Sequence, residues 1–278
     1  MRDNELLAFM KARHDIYLKK AAGKPKPWTS DPILQNYRFC NVFRELDTVT
    51  IWIRENIREP YADHPNLWFM LAIARQINWP ATLQELMDNG CWPTKTWNWE
   101  KARKVMLARQ ARKEQLYTGA YMLNAHGIAP DDPSDKAFFT CKLVLDSVWQ
   151  DRKKVEPQLH GSLEEAHKAF LPYHGWGRFT SFEVITDLRH TRYLRGAPDV
   201  MTWASAGPGA KRGLNYIHDR PIMDPIKDDQ ATAEMQQLLK LVSKKWKGPA
   251  LEMRDVEHVL CEIFKYTRGS TRSKYNGA

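Results

Sequence analysis

The sequence predicts an all-α protein, and three observations lead there. Apolar residues recur at helical spacing through most of the chain. No long stretch alternates at the two-residue period of a strand. Clusters of Gly, Pro and Asp punctuate the periodic segments where helices should end. The 278 residues suit one large domain or two small ones with ample core, and no internal repeat is visible.

The elements follow in order. Residues 4–21 read as a helix with Leu6, Leu7, Phe9, Met10, Ile16 and Tyr17 on one side, broken by Gly23-Lys24-Pro25-Lys26-Pro27. Asp31-Pro32 starts the next helix, with Asp31 as cap and proline at the first position. Its periodicity carries it through residues 36–47 to about Ile57. Further helices are expected near 65–77, 81–89 and 98–124. The segment 128–135 reads as a loop. Helices resume at 136–154, 162–170, 178–188, 209–217, 228–245 and 252–266. The expected organisation is an N-terminal helix and linker over 1–30, a helical domain over 31–267 and a polar, basic tail over 268–278. The loop divides the domain into lobes of roughly 31–130 and 136–267. A cleft between them is the natural place for a ligand.

Composition narrows the partners. The net charge is +9 and the isoelectric point near 9.3, which favours a polyanion, though the excess is spread along the chain. Eleven tryptophans leave some free to stack on bases once the core is filled. No apolar run approaches membrane-spanning length, and the charged Met1–Glu5 start has no signal-peptide core, so the cytosol is the expected location and no membrane partner is expected. Cys40, Cys91, Cys141 and Cys261 are far apart and form no zinc-ligand spacing. GxxxxGK[ST] is absent, and with it the usual means of cleaving ATP.

Four constellations carry candidate chemistry. On the helix expected over 36–47, Arg38, Asn41 and Arg44 fall at spacing of three, near one another on one face. Two guanidinium groups and an amide there suit a phosphate or pyrophosphate; the alternative is a solvated face with Arg44 and Asp47 paired. The second is the turn Leu171-Pro172-Tyr173-His174-Gly175-Trp176-Gly177-Arg178-Phe179, which opens a helix. Gly175, Gly177 and Arg178 are its candidate contacts to a DNA phosphate; the alternative is a helix connection that needs glycine for a positive φ. The third runs from Asp199 to Gly213. Gly207, Gly209, Lys211 and Arg212 present a turn and two cations suited to an anion, while Asp199 reads either as a catalytic carboxylate or as a cap. The fourth is a stripe of Asp255, His258, Glu262 and Lys265 at helical spacing. Glu262 or His258 is placed to take a proton and Lys265 to neutralise a leaving phosphate; a salt-bridged surface is the alternative.

The spacing of the Leu171–Phe179 turn and Asp199 resembles the hairpin and downstream aspartate of helix-hairpin-helix DNA glycosylases. Their bifunctional members carry a lysine nucleophile two positions after the second glycine. Here that position is Phe179, so lyase chemistry is not expected.

Four ordered stretches between about residues 31 and 266 carry a wider resemblance. Tyr37-Arg38-Phe39-Cys40-Asn41-Val42-Phe43-Arg44-Glu45-Leu46-Asp47 is the first, and Gly175–Phe179 with Asp187-Leu188 the second. Trp203–Asn215 resembles a W-A-x-x-GPGA-x-RGLN block, and Asp255–Tyr266 an EHxLCExxKY block. Together they are similar to the α-glutamyl/putrescinyl thymine pyrophosphorylases of bacteriophages, the amino acid:DNA transferases, relatives of the helical domain of phage 5-hydroxymethyluracil DNA kinases. The resemblance implies a helix-hairpin-helix glycosylase-like fold and a role in hypermodifying thymine in phage DNA within an infected cell. A separate kinase makes a 5-pyrophosphorylmethyl base in double-stranded DNA. An amine from an amino acid or polyamine then displaces pyrophosphate at the methylene carbon of the flipped nucleotide. Arg38, Arg44, Lys211 and Arg212 are the candidates to stabilise pyrophosphate, with Asn41 beside them. Asp199 and Glu262 are the candidates to accept the amine's proton. A magnesium ion is compatible with that role, though no motif marks its site. Two other readings stay open: a glycosylase-like enzyme that removes the base, and a non-catalytic DNA-binding module beside a kinase.

Overall fold

A computed structural model of the chain describes residues 1–119 and 135–268. Its α-helices are α1 Asp3–Ala21, α2 Pro32–Asn36, α3 Thr48–Ile53, α4 Leu67–Ile77, α5 Pro80–Asp88, α6 Trp99–Ala111, α7 Lys136–Phe138, α8 Ser147–Gln150, α9 Arg152–Val155, α10 Leu163–Phe170, α11 Arg178–Leu188, α12 Pro208–Ile217, α13 Asp228–Ser243 and α14 Met253–Thr267. The described residues are all-helical and contain no strand, as expected. Most of the loop expected over 128–135 and the tail expected over 268–278 lie outside the described residues. The helix expected over 98–124 ends earlier, at Ala111, where Lys113 takes a positive φ of 61° and breaks the helical path.

Compactness divides the chain into two units. The first combines Met1–Asp47 with Asp199–Ala278; the second is Thr48–Pro198. Helices α6 and α7, on either side of the 128–135 segment, pack with one another inside the second unit.

In the first unit α14 is central and packs on α1, α12 and α13. Its apolar face, including Val256, Val259, Leu260 and Ile263, is buried. Removing such area from water is the main source of stability. Contact with α12 is unusually close because α12 turns glycines toward its neighbour. A methyl at Gly213 would overlap the Leu260 carbonyl oxygen, and one at Gly209 would overlap Cys261 Sγ. Tyr216 on α12 donates to Glu5 at 2.6 Å, tying α12 to α1.

Around α2 the structure departs from the expected helix. Asp31 does cap it, accepting from Ile33 N and Leu34 N at 2.8 and 3.0 Å. The helix nevertheless stops at Asn36, and Tyr37 is extended. Residues 37–47 form an irregular segment with one 3-10 turn, Arg44–Leu46. Tertiary bonds hold the backbone open. Arg13 donates to the Phe39 carbonyl at 3.0 Å, and Cys40 N donates to Glu262 at 2.8 Å. Asp47 accepts from Asn41 N at 2.9 Å. Arg38, Asn41 and Arg44 therefore do not share a helical face.

The second unit is built on α4, every residue of which is buried, packed against α11. A buried ion cluster joins the two. Arg75 donates from Nη2 to Asp187 at 2.7 Å and to Thr50 at 3.1 Å, and Arg58 lies 3.7 Å from the same carboxylate. Helix α10 begins with a Ser162–Glu165 capping box, and a tight turn leads to α11. In that turn Gly175 has φ +76°, and a methyl there would strike Val144 and Phe139. Trp176 is buried and donates its indole N–H to the Val144 carbonyl at 3.0 Å. The expected 136–154 helix is broken into α7, a wide π-type stretch over 139–146, and α8 and α9.

Candidate functional site

The groups with the most unusual surroundings sit in the first unit, on α14 and the 37–47 segment. Arg254, Glu257, His258 and Cys261 stand at spacings of three and four along α14, so one face carries them all. The irregular 37–47 segment supplies Cys40, Asn41, Arg44 and Asp47, and the start of α12 supplies Gly207.

Glu257 is half-buried, and its carboxyl is pushed up to about 7. Burial is the cause, only partly offset by Arg254, by the Gly207 N–H that donates to it, and by Arg44. His258 is held well below its ordinary value by burial and by the surrounding Arg254, Arg44, Lys265 and Arg13; it is neutral at physiological pH. Burial also raises Asp47, against the pull of Arg44 and of the Asn41 N–H. The Cys40 thiol is raised well above its ordinary value by burial and by the Glu262 and Asp47 carboxylates, and the Cys261 thiol is pushed up to about 12.

The 37–47 segment is tightly oriented. Asn41 donates its amide to the Leu46 carbonyl at 2.8 Å and to Asp47 Oδ1 at 3.0 Å. That fixes which side of the amide is oxygen. Among the buried polar atoms of this site that lack a hydrogen-bond partner are Asn41 Oδ1, Asp47 Oδ2 and His258 Nε2. Such orphans are costly unless something fills them. His258 Nε2 lies 4.0 Å from Asp47 Oδ2. With Cys40 Sγ, these side chains offer three potential metal-ligand atoms within 4.8 Å of one another.

The structure thus brings Asn41, Arg44, Glu262 and Lys265 together from the sequence candidates, and adds Arg13, Cys40, Asp47, Arg254 and Glu257. Glu262 is buried and accepts from Cys40 N at 2.8 Å and from Lys265 at 3.2 Å. Its carboxylate positions the 37–47 segment. Lys265 also lies 5.0 Å above the Phe39 ring. Arg38 is on the exposed side of the segment. Lys211 is turned elsewhere, donating to the Ile226 carbonyl at 2.7 Å and to Asp228 at 2.8 Å. Arg212 stacks over Phe264 with its guanidinium 5.6 Å from the ring centre. Asp199 lies in a half-buried turn next to Val200, whose carbonyl accepts from Met253 N at 3.2 Å. Asp255 caps α14 by accepting from Glu252 N at 2.8 Å.

Glu257 was legible only as the neighbour of a stripe. The Asp255–His258–Glu262–Lys265 spacing drew attention to one face, while the adjacent 254/257/261 set gains meaning only once α12 and the 37–47 segment are laid against it. The glycines divide by role. Gly209 and Gly213 serve helix contact, and Gly207 stands at the start of α12 with its N–H on Glu257. In the second unit Gly175 serves the turn, while Gly177, Arg178 and Phe179 are exposed at the start of α11, with space around Gly177.

Comparison with known proteins fits this helical chain. A 5-hmdU DNA kinase of Bacillus phage SP10 is 28% identical over 223 residues, covering 74% of this chain and 34% of the relative. The chain thus spans about a third of the length of the curated relative it matches. No solved structure matches it. Among the described residues, no helix is long and apolar enough to cross a membrane. The family match, described as the helical domain of 5-hmdU DNA kinase, runs over residues 3–275, and this chain belongs to that family.

Proposed function

We propose that this chain works in thymine modification of phage DNA as an amine transferase. In the proposed reaction the nitrogen of an amino acid or polyamine forms a bond to the 5-methylene carbon of pyrophosphorylated 5-hydroxymethyluracil. The carbon–oxygen bond breaks, and pyrophosphate departs with the electron pair. The new ammonium then loses one proton. The observation that carries this reading is the grouping of Glu257 with Arg44 and Arg254. The two guanidinium groups suit the charge that develops on a leaving pyrophosphate. Glu257, oriented by the Gly207 N–H, is the proposed proton acceptor. The first turn of α11, with Gly177 and Arg178, is the proposed contact to the DNA backbone. The family match supports hydroxymethyluracil as the base. The absence of GxxxxGK[ST] from the sequence favours a step after phosphorylation.

A second reading is a DNA-binding module that acts beside a kinase without turnover. The match to one domain of a longer kinase favours it.

The test is incubation of the protein with pyrophosphorylated hydroxymethyluracil DNA and a mixture of amino acids and polyamines, followed by mass spectrometry of the digested nucleosides. Transfer yields one new nucleoside carrying one amine and releases pyrophosphate. Bound DNA with unchanged nucleosides supports the accessory module, and loss of the base supports a glycosylase. Glu257→Gln is expected to lower transfer about 100-fold or more with DNA affinity retained. Asp199→Asn is measured beside it; a larger loss there would move the proton-accepting role to Asp199.

A further inference from the structure

We propose that Cys40 Sγ, Asp47 Oδ2 and His258 Nε2 form a binding site for a divalent cation of the zinc type. The three potential ligand atoms lie within 4.8 Å of one another and come from two elements of the first unit. Two of the atoms are otherwise unexplained. Asp47 Oδ2 and His258 Nε2 are buried without a hydrogen-bond partner, and at 4.0 Å they are too far apart to satisfy each other. Two ligands of one tetrahedral ion are separated by roughly 3.3–3.7 Å, given metal–ligand distances of about 2.0–2.3 Å. Binding therefore has to draw the three ligand atoms together by up to roughly 1 Å.

The surroundings are those of an oriented metal shell. The second oxygen of Asp47 is held by Asn41 N and Nδ2 at 2.9 and 3.0 Å, which directs Oδ2 away from the segment. The Cys40 backbone is pinned by its N–H bond to Glu262 at 2.8 Å. Hydrogen bonds to the ligand residues set the direction in which their donor atoms point. Asn41 Oδ1, on the residue whose amide nitrogen holds Asp47, is also buried and unpartnered.

The donor set selects the ion. One sulfur, one imidazole nitrogen and one carboxylate oxygen suit zinc, whereas magnesium prefers oxygen ligands and keeps several waters. A dication with the Asp47 carboxylate and a Cys40 thiolate forms a neutral centre, one charge more positive than the empty site with its Asp47 carboxylate and Cys40 thiol. Binding releases the Cys40 proton to solvent. Three protein ligands leave a fourth position for Asn41, water or a substrate oxygen.

The experiment uses the full chain, produced in zinc-supplemented medium and purified without chelators or nickel resin. The expected result is about one zinc per chain by elemental analysis. Zinc is then removed and Co²⁺ added. A near-ultraviolet sulfur-to-cobalt charge-transfer band with tetrahedral visible bands is expected, and Cys40→Ser should abolish the near-ultraviolet band. His258→Gln should lower zinc occupancy about 10-fold or more. Cys261→Ser is the control and should change neither. A wild-type protein that is folded by circular dichroism, yet carries no zinc and gives no cobalt spectrum, would overturn the site. So would a cobalt band that survives Cys40→Ser. The wild-type spectrum decides the matter even if a variant fails to fold. Neither readout depends on transfer activity.

Discussion

Three carboxylates on α14 illustrate how surroundings assign work to a residue. Glu262 is engaged by Cys40 N and Lys265 and holds a loop. Glu257 faces guanidinium groups. Asp255 closes a capping box, yet burial pushes its carboxyl up to about 7 against the help of the Glu252 N–H. That value is above the unfolded one, so the folded state holds the proton more tightly. Between about pH 4 and pH 7 the unfolded chain loses the proton first, and stability falls as pH rises through this window. Asp255→Asn retains a cap acceptor without the charge. Relative to the wild type it should gain stability from pH 4.5 to pH 8, by roughly 1–3 kcal/mol. Urea denaturation of both proteins at the two pH values measures this, and a constant difference would contradict it.

Glycines tell helix elements apart. The sequence spacing marked Gly207 and Gly209 as part of an anion-binding turn, but α12 starts at Pro208 and places Gly209, like Gly213, inside a helix. The value of Gly209 and Gly213 there is the missing side chain, which lets α12 approach the Cys261 side chain and the Leu260 backbone of α14. Gly213→Ala should destabilise the protein by about 1–3 kcal/mol, because the added methyl meets backbone that cannot rotate away. At Gly177 a methyl meets nothing and φ is −81°. Gly177→Ala should leave stability within about 0.5 kcal/mol of wild type. Thermal unfolding of the pair tests both. A DNA-binding defect confined to Gly177→Ala would support the backbone contact proposed for the hairpin.

Over the whole molecule, the first unit is assembled from both ends of the sequence and the second from one continuous stretch. A fragment of residues 48–198 should therefore fold alone, with a cooperative urea transition and a helical circular dichroism spectrum. Its stability should depend on the buried Arg75–Asp187 pair. Asp187→Ala leaves two guanidinium groups buried without their carboxylate and should cost about 3–5 kcal/mol. A non-cooperative wild-type fragment would show that the second unit needs the first. By contrast, deleting α1 removes one of the helices packed on α14 and Arg13's bond to Phe39, and should disorder the candidate site.

The helical class, most helix boundaries, the Asp31 cap and the glycine turn at Gly175 are legible in the residues alone, because each depends on spacing and local backbone chemistry. The same local rules failed over 37–47, while 48–57 is helical as expected. There the apolar period continues, but hydrogen bonds from Arg13 and to Glu262 and Asp47 outweigh helix propensity, which is worth well under 1 kcal/mol per residue. Only the tertiary structure could bring Cys40 and Asp47 to His258, or Arg44 to Glu257. Those partners are more than 200 positions apart, and no local period encodes a meeting that depends on the C-terminal helix α14 packing against the N-terminal part of the chain.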